Sequence, residues 1–257
     1  MDAAYAHLGR TSADFWERRA CGFHRSTKDT VSRDPFYLRL SDKVSSRTSV
    51  LDVGAGTGRF SLALAPQVDH IIAVEPSAAM MDFLRQDAAD KDLRNISYVQ
   101  TIWEEAPDSL QADIVICSHV VYPIRDIEPF LLKLHKAAHQ GCYIYARATH
   151  IDALTADLWW HFHHDERCMP PSYIHVMDVL YEMGIFANVE IVSLPSSLRY
   201  PSLDVAVTEM TEQLILPVDE TTRVELRALL EEWLVEMDGV LVPPLQEMVC
   251  AIICWEK

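Results

Sequence analysis

Short apolar runs alternate with amphipathic stretches along much of the chain. The runs span residues 49–53, 70–74, 95–101, 112–117, 142–147, 187–193 and 248–255. Short β-branched runs are typical of buried strands, and stretches with apolar residues three or four positions apart are typical of helices. Their alternation predicts an α/β fold, a doubly wound, mostly parallel sheet of seven strands with helices on both faces.

Capping residues mark where the predicted helices begin and end. The predicted starts are Ser12, Asp34-Pro35, Ser77, Asp126 and Pro171-Ser172, and the predicted stops are Gly141 and Gly184. Ser and Asp side chains accept from free N–H groups of a first helical turn, and glycine suits the left-handed residue after a helix. The first of these helices has an aromatic and cationic face, with Trp16, Arg19 and Phe23. Cover of a ligand and plain core packing are equal alternatives for this face.

Two segments do not fit the alternation of strand and helix. Residues 149–171 hold Trp159, Trp160 and Phe162, and residues 201–245 hold helical patterns over 203–216 and 221–237. We predict a single domain over 1–257, with N-terminal cap helices in 1–48, a ligand-binding core in 49–147 and helical cap insertions in 149–171 and 201–245. Because aromatic side chains offer large contact areas, we expect the insertions and the helix around Trp16 to form a lid over a small-molecule pocket.

A glycine-rich turn follows the first predicted strand. The sequence Asp52-Val-Gly54-Ala-Gly56-Thr-Gly58 leads into an apolar helix, which is the layout of a nucleotide-binding crevice. Arg59 stands where the dinucleotide pattern Gly-x-Gly-x-x-Gly needs its third glycine. Asp52 would repel a pyrophosphate and suit an ammonium group, and Glu75 ends the next strand, where an acid binds ribose hydroxyls. The crevice is therefore predicted to hold a ribose and an amino group without a phosphate.

These requirements describe S-adenosylmethionine. The segments Val50-Leu-Asp-Val-Gly-Ala-Gly-Thr-Gly58 and Val74-Glu-Pro-Ser77 resemble the class I S-adenosylmethionine-dependent methyltransferases. The resemblance implies S-adenosylmethionine as cofactor and S-adenosylhomocysteine as product. It also implies an antiparallel last strand between the fifth and sixth strands. A glycine turn that only joins a strand to a helix is the alternative.

The candidate cofactor-binding residues follow the predicted strands. They are Asp52, Gly54, Ala55, Gly56, Gly58, Glu75, Pro76, Met80, Ile102, Trp103, Glu104, Ser118 and His119. Open α/β sheets bind ligands at the carboxyl ends of their strands. An apolar side chain at Ile102 or Trp103 could lie against an adenine ring and Glu104 could accept from its amino group, although Trp103 equally fits a core or lid position. Asp113 begins the fourth strand, away from the crevice, and is predicted to be structural.

Methyl transfer from a sulfonium needs few catalytic groups, because the leaving group becomes neutral. The protein has to align the nucleophile, the methyl carbon and the sulfur, and to exclude water. A hydroxyl acceptor would benefit from a general base, and histidine suits neutral pH. His119 is therefore the candidate base and Tyr122 its substrate-orienting neighbour. A backbone or cofactor contact without proton transfer is the alternative for His119.

The net charge and the cysteines restrict the classes of binding partner and the cell compartment that we expect for the protein. The net charge is −16, with 38 acids against 22 lysines and arginines, which disfavours nucleic acid because neutralised phosphates dominate such binding. The N-terminal segment is the candidate for a local basic patch, with the alternative of solvated helix faces; its basic residues are Arg18, Arg19, Arg25, Lys28 and Arg33. Six cysteines without a Cys-x-x-Cys pair, no long apolar run and no signal-like N-terminus predict a cytoplasmic protein without a membrane segment.

The histidines of residues 161–164 invite comparison with a metal site. Zinc sites need three or four converging ligands, and the cysteines lie at no zinc-like spacing. We therefore predict no metal. The sequence as a whole predicts methyl transfer from S-adenosylmethionine to a small molecule, with the acceptor atom and oligomeric state left open. The alternatives are a protein- or tRNA-directed methyltransferase and a non-catalytic protein that binds S-adenosylmethionine.

Overall fold

A sheet of seven strands organises the larger part of the chain. The computed structural model describes residues 16–17, 20–24, 31–195, 198–244 and 247–257. The strands are β1 (Ser49–Val53), β2 (His70–Val74), β3 (Ile96–Val99), β4 (Ala112–Ser118), β5 (Ala138–Arg147), β6 (Asn188–Pro195), β7 (Val235–Met237), β8 (Val240–Val242) and β9 (Glu247–Glu256). Seven of them form the sheet β3-β2-β1-β4-β5-β9-β6, and β7 and β8 form a hairpin apart from it. The strands from β1 to β5 pair in parallel, whereas β9 pairs antiparallel with β5. The predicted α/β fold with its antiparallel last strand is confirmed.

Helices connect most of the parallel strands. The α-helices are α1 (Pro35–Ser41), α2 (Arg59–Leu64), α3 (Ala78–Asp90), α4 (Ile127–Ala137), α5 (Ala156–His163), α6 (Tyr173–Glu182), α7 (Leu203–Gln213) and α8 (Glu220–Trp233). Short 3₁₀ turns occur at Val31–Arg33, Ala65–Gln67, Trp103–Glu105 and Ile151–Thr155. Within the described ranges, no helix is both long and apolar enough to cross a membrane.

The chain divides into two compact units. The first comprises the described residues of Met1–Ala148, Pro170–Val192 and Val249–Lys257, and the second those of Thr149–Met169 and Ser193–Met248. The predicted insertions, 149–171 and 201–245, lie largely within the second unit. That they act as a lid stays a prediction.

The predicted caps start α1 and α3. The Asp34 carboxylate accepts from the backbone N–H of Phe36 at 2.8 Å, and Pro35 takes the first helical position, where its missing N–H costs nothing. Ser77 begins α3, and its hydroxyl accepts from the N–H of Met80 at 3.3 Å. Both helices therefore begin where their capping residues predict, beside the crevice strands.

The predicted helix stop at Gly141 is wrong. Helix α4 ends at Ala137, and Gly141 lies inside β5. A Cβ atom at this position would come within 3.0 Å of the carbonyl oxygen of Trp255 on β9. The glycine is needed because two strands approach closely there, and not because a helix ends.

The second unit has its own core. Its helices bury apolar side chains together with Tyr200, which precedes α7; among these side chains are Leu158 of α5, Met210 of α7 and Leu230 of α8. The helical pattern predicted over 221–237 ends at Trp233, because the last residues form β7. Asp238 and Gly239 connect β7 to β8 with φ values of +52° and +76°, as a tight hairpin turn requires.

Asp113 joins β4 to β1 at the end of the sheet away from the crevice. Its carboxylate accepts from the backbone N–H and the hydroxyl of Ser49, both at 2.8 Å, and from the amide of Gln140 at 3.0 Å. These donors, the N–H of Ser49 foremost, hold the pKa of Asp113 below its usual value. The contacts agree with the predicted structural role.

Replacing Asp113 by alanine should lower the free energy of unfolding by about 1–3 kcal/mol, because the donors of Ser49 lose a charged acceptor. Urea unfolding at pH 7 measures the loss, with Asp178→Ala on the exposed side of α6 as the control. Because the pKa of Asp113 is lowered in the folded state, its contribution is present above about pH 4 and fades as the pH falls further. Equal stabilities of wild type and Asp113→Ala at pH 7 would show that the contacts are dispensable.

Candidate active site

The glycine turn after β1 is shaped by three left-handed residues. Gly54, Gly56 and Gly58 have φ values of +74°, +57° and +84°, a region that side chains disfavour. A Cβ atom at Gly54 would lie 2.2 Å from Val120, and one at Gly58 would lie 2.2 Å from Leu84. At Gly56 it would meet only the ring of Phe23, at 3.9 Å. Two of the glycines therefore allow close packing, and Gly56 is the one that leaves room for a ligand.

Hydrogen bonds fasten this turn to the end of β2. The N–H groups of Gly54 and Ala55 both donate to the carbonyl oxygen of Val74, at 2.8 and 3.0 Å. One oxygen of the Glu75 carboxylate accepts from the N–H of Gly56 at 2.9 Å, and the other accepts from the N–H of Ser77 at 2.9 Å. Glu75 is 5% exposed, and burial raises the pKa of its carboxyl although the N–H donors oppose the shift. The predicted ribose-binding acid is thus joined to the open glycine by a hydrogen bond.

Asp52 is a second buried carboxyl in the same region. It is 1% exposed, and the hydroxyl of Ser61 donates to it at 2.6 Å. Burial raises the pKa of Asp52 to about 7, the hydrogen bond from Ser61 opposes this shift, and the charge of Glu75 adds to it. A carboxyl that is held by a hydroxyl, beside another acid, suits a cationic ligand group.

The residues predicted to hold an adenine separate into two groups. Ile102 and Glu104 are exposed, so that both can reach a ligand. Trp103 is 4% exposed and lies in the core with the ammonium group of Lys133 5.0 Å from its ring centre. Core packing, which was the alternative for Trp103, is therefore what the structure shows. Met80 is buried as well, at 2% exposure, in the first turn of α3.

The end of β4 presents the two candidate catalytic residues together. Ser118 is the last residue of the strand, and His119 follows with a left-handed φ of +59°. The Nδ1 atom of His119 lies 2.8 Å from the hydroxyl oxygen of Tyr122, which also accepts from the N–H of Arg147 at 2.7 Å. The hydroxyl of Tyr122 is therefore engaged by the protein itself, and its role in orienting a substrate stays a prediction.

Part of the N-terminal segment packs against the crevice. Glu17 accepts from the hydroxyl of Ser77 at 2.8 Å and from the N–H of Ala79 at 3.2 Å, at the beginning of α3. Trp16 and Phe23 contact each other edge to face, 5.4 Å between ring centres. The predicted start at Ser12 and the basic residues Arg18, Arg19, Arg25 and Lys28 lie outside the described residues.

An ion pair that no sequence pattern predicts lies next to the glycine turn. Arg59 donates to the Asp34 carboxylate at 2.7 Å, and both side chains are largely buried. Phe36 of α1 stacks on Tyr145 of β5, with ring centres 4.8 Å apart. These contacts join the first helix to α2 and β5. The residues lie 25 or more positions apart, so no local pattern could have revealed the pairs.

The histidine segment 161–164 lies in the second unit. His161 forms an ion pair with Glu225 at 2.8 Å, and His163 contacts the carbonyl oxygen of Leu214 at 2.8 Å. Among the described residues, no three side chains of ligand type converge on a metal position. The lack of a metal stays a prediction.

The raised pKa of Asp52 has a consequence for stability. Between about pH 4 and 7 the unfolded chain loses this proton before the folded protein does, so the free energy of unfolding falls as the pH rises. The slope due to Asp52 approaches about 1.4 kcal/mol per pH unit. We expect Asp52→Asn to remove it, as measured by urea unfolding at pH 5, 6 and 7.

The matched control for this experiment is Asp69→Asn, an exposed acid just before β2. It should leave the pH dependence of the wild type in place. A wild type and an Asp52→Asn variant with parallel pH dependence would mean that Asp52 ionises as an ordinary acid.

Comparisons with known proteins agree with this geometry. A methyltransferase domain model matches residues 50–141. An uncharacterised protein of Haemophilus influenzae is 25% identical over 182 residues, which are 70% of this chain and 67% of that protein. The ubiquinone biosynthesis O-methyltransferase of Rickettsia typhi is 32% identical over 97 residues, which are 38% of this chain and 39% of that enzyme.

The fold has counterparts among solved structures. The crystal structure of the YcgJ protein from Bacillus subtilis superposes with a TM-score of 0.55 at 14% identity, covering 85% of this chain and 97% of that one. The residues matched by the domain model, 50–141, include the glycine turn, both buried carboxyls and the end of β4. Residues 50–141 of the chain are therefore a methyltransferase domain of the S-adenosylmethionine-dependent class, on a sheet with the α/β methyltransferase fold.

Proposed function

We propose that the protein transfers the methyl group of S-adenosylmethionine to a small-molecule acceptor and releases S-adenosylhomocysteine. The observation that carries this proposal is the open position at Gly56, whose N–H donates to the buried carboxyl of Glu75, with the buried carboxyl of Asp52 close enough to Glu75 to feel its charge. A ligand with a ribose and an ammonium group offers both acids a partner, whereas a pyrophosphate would be repelled by them. The residues present therefore fit the cofactor of the family.

Each candidate site residue has a role in the proposed complex with S-adenosylmethionine. The carboxylate of Glu75 would accept from the ribose hydroxyls, and Asp52 would attract the ammonium group. Gly54, Ala55, Gly56 and Gly58 form the turn, and Ser77 and Pro76 keep the carboxylate of Glu75 in place. Ile102 and Glu104 hold the adenine, and Ser118 and His119 face the reacting end. Trp103 and Met80 contribute as core residues behind these contacts.

The bound cofactor supplies a methyl group that is already activated by its positive sulfur. In the transfer, the acceptor's lone pair would form the new bond to the methyl carbon, and the electrons of the broken sulfur–carbon bond would stay on sulfur. The protein's part is to orient the two reactants in line and to exclude water, which alone can lower the barrier by roughly 7–11 kcal/mol. The buried acids and the glycine turn would orient the bound cofactor.

A small molecule is the acceptor class that the charge favours. A net charge of −16 gives little long-range attraction for RNA or DNA. A similar protein of Rickettsia typhi is named as an O-methyltransferase of ubiquinone biosynthesis, which is a small-molecule role. We further place the protein in the cytoplasm, because all six cysteines are free thiols, as in a reducing compartment.

Calorimetric titration tests the cofactor part of the proposal. S-adenosylmethionine and S-adenosylhomocysteine should bind, and NAD should not, because its pyrophosphate would meet Asp52 and Glu75. The three titrations use the same protein at pH 7.5. Tight binding of NAD together with no heat from S-adenosylhomocysteine would contradict the proposed function.

Glu75→Gln should weaken the binding of S-adenosylhomocysteine by about 1.5–3 kcal/mol, the range for a lost hydrogen bond to a charged group. The same change places an amide beside a backbone N–H, so titrations should run well below the melting temperature. Glu128→Gln, on the exposed first turn of α4, is the control and should bind like the wild type. An affinity unchanged by Glu75→Gln in the folded protein would place the ribose elsewhere.

The acceptor class can be tested with radiolabelled S-adenosylmethionine. Phenols, catechols, thiols and carboxylic acids form one panel, and bulk tRNA and denatured protein form the other. Transfer of label should occur in the first panel. Label confined to tRNA or protein would overturn the small-molecule assignment, and the absence of label from both panels despite tight cofactor binding would favour the non-catalytic alternative.

A further inference from the structure

A cavity of about 580 Å³ lies within the first unit, apart from the glycine turn. Its walls come from the end of α1 and the residues after it, the end of α4, β5, the loop between α6 and β6, and the last residues of β9. The wall residues Trp255 and Glu256 of β9 pair with Cys142 and Gly141 in the first half of β5. The glycine turn follows the carboxyl end of β1, at the other end of the sheet. The cavity is therefore separate from the proposed cofactor site.

The charged residues that line this cavity leave one cation without a partner. Lys43 forms an ion pair with Glu256, with 3.2 Å between its Nζ atom and the carboxylate. Arg39 lies in the last turn of α1, and its side chain makes no ion pair or hydrogen bond within the described ranges. The hydrogen bond to Glu256 raises the pKa of Lys43, and the nearby charge of Arg39 opposes the shift. The cavity thus holds an unpaired positive charge in a chain whose net charge is −16.

His135 adds a hydrogen-bond donor to the cavity wall without adding a charge. Its Nδ1 atom accepts from the indole N–H of Trp255 at 3.0 Å, and an indole nitrogen can only donate. Burial foremost, and the charge of Lys257, lower the pKa of His135, so the ring is neutral at pH 7. A neutral imidazole that accepts at Nδ1 carries its proton on Nε2. No atom in the described part of the chain accepts this proton, which leaves it available to a ligand.

Aromatic side chains supply much of the apolar lining of the cavity. Tyr143 and Trp255 are each 4% exposed, whereas Phe186 is 78% exposed. The Phe186 ring contacts Tyr181 edge to face, with 5.8 Å between ring centres. A flat ring in the cavity would cover apolar surface that water now contacts, and stacked or edge-to-face ring pairs are favourable. The volume falls within the range of roughly 300–1,000 Å³ that is usual for small-molecule sites.

We propose that this cavity binds a small monocarboxylate that carries an aromatic ring. The guanidinium of Arg39 fits a carboxylate through two parallel hydrogen bonds, and the N–H of His135 is a further donor. One unpaired cation matches one negative charge, whereas the second charge of a phosphate group would face Glu256. Because the cavity lies away from the carboxyl ends of the strands, its ligand is a molecule other than the methyl acceptor. The proposal does not depend on the proposed function.

Calorimetric titration of the free protein with 2-naphthoate at neutral pH tests the charge requirement. We expect 2-naphthoate to bind, and Arg39→Gln to weaken its binding by about tenfold, which corresponds to about 1.4 kcal/mol. The probe 2-naphthamide has the same rings without the charge and should show a similar loss. Arg94→Gln is the matched control, because Arg94 is an exposed arginine that pairs with Asp92 outside the cavity. It should bind 2-naphthoate like the wild type.

Thiol labelling shows whether the probe occupies the cavity. Cys254 lines the cavity and is partly exposed, and Cys168 is an exposed thiol of the second unit. The protein is treated with iodoacetamide, which is uncharged, and the labelling rate of each cysteine is followed by peptide mass spectrometry. We expect 2-naphthoate to slow the labelling of Cys254 and to leave that of Cys168 unchanged.

Three results would overturn the proposal. They are no binding of 2-naphthoate at millimolar concentration, binding that Arg39→Gln leaves unchanged, and binding without protection of Cys254. If Arg39→Gln fails to fold, Lys43→Gln takes its place, since Glu256 would then lack its partner and repel the carboxylate. Both measurements use the protein without cofactor or acceptor, so a failure of S-adenosylhomocysteine to bind would refute the proposed function and leave this result standing.

Discussion

The bonds between the glycine turn and the end of β2 are the constraint on which the site depends. Two consecutive N–H groups, of Gly54 and Ala55, share the carbonyl oxygen of Val74, and the next glycine donates to Glu75. While making these bonds, the three glycines of the turn lie in the left-handed region, which glycine adopts without the strain that a side chain would cause. The bond from Gly56 fixes the Glu75 carboxylate next to the open position. The geometry of the turn and the placement of the acid are therefore one feature.

Two buried carboxyls near one another are costly in a protein without its ligand. Burial raises the pKa of both Asp52 and Glu75, which means that the surrounding protein disfavours their charged forms. Neutral donors, the hydroxyl of Ser61 and two backbone N–H groups, offset only part of this cost. A ligand that brings an ammonium group and hydroxyl donors would offset more of it. The instability of the free site and its proposed affinity for a cationic nucleoside have the same physical origin.

The features that could be predicted from the sequence are those with a local cause. Strand β1 and the cap at Ser77 depend on neighbouring residues, and both are found where the sequence predicts them. The helix stop predicted at Gly141 is wrong because glycine is required there by the close approach of Trp255, which lies on a strand far along the chain. The helix predicted over residues 235–237 is wrong for a different reason. Asp238-Gly239 between apolar residues is a local signal for a hairpin, and here it takes precedence over the helical pattern. The burial of Trp103 beneath Lys133 also has no local signature.

The matched region contains the residues proposed to bind the cofactor, whereas contacts near the proposed acceptor extend beyond it. The matched domain model covers 50–141, and the Rickettsia typhi enzyme aligns over 97 residues at 32% identity, a span long enough to indicate the cofactor and too short to indicate the acceptor. The acceptor has to be argued from contacts that leave this span, and the first of them is the bond from Arg147 to Tyr122. That bond joins the end of β5 to the residues after β4 and holds the Tyr122 hydroxyl 2.8 Å from the Nδ1 atom of His119. The arrangement of side chains at the end of β4 thus depends on a backbone N–H that lies outside the matched region and that no cofactor motif contains.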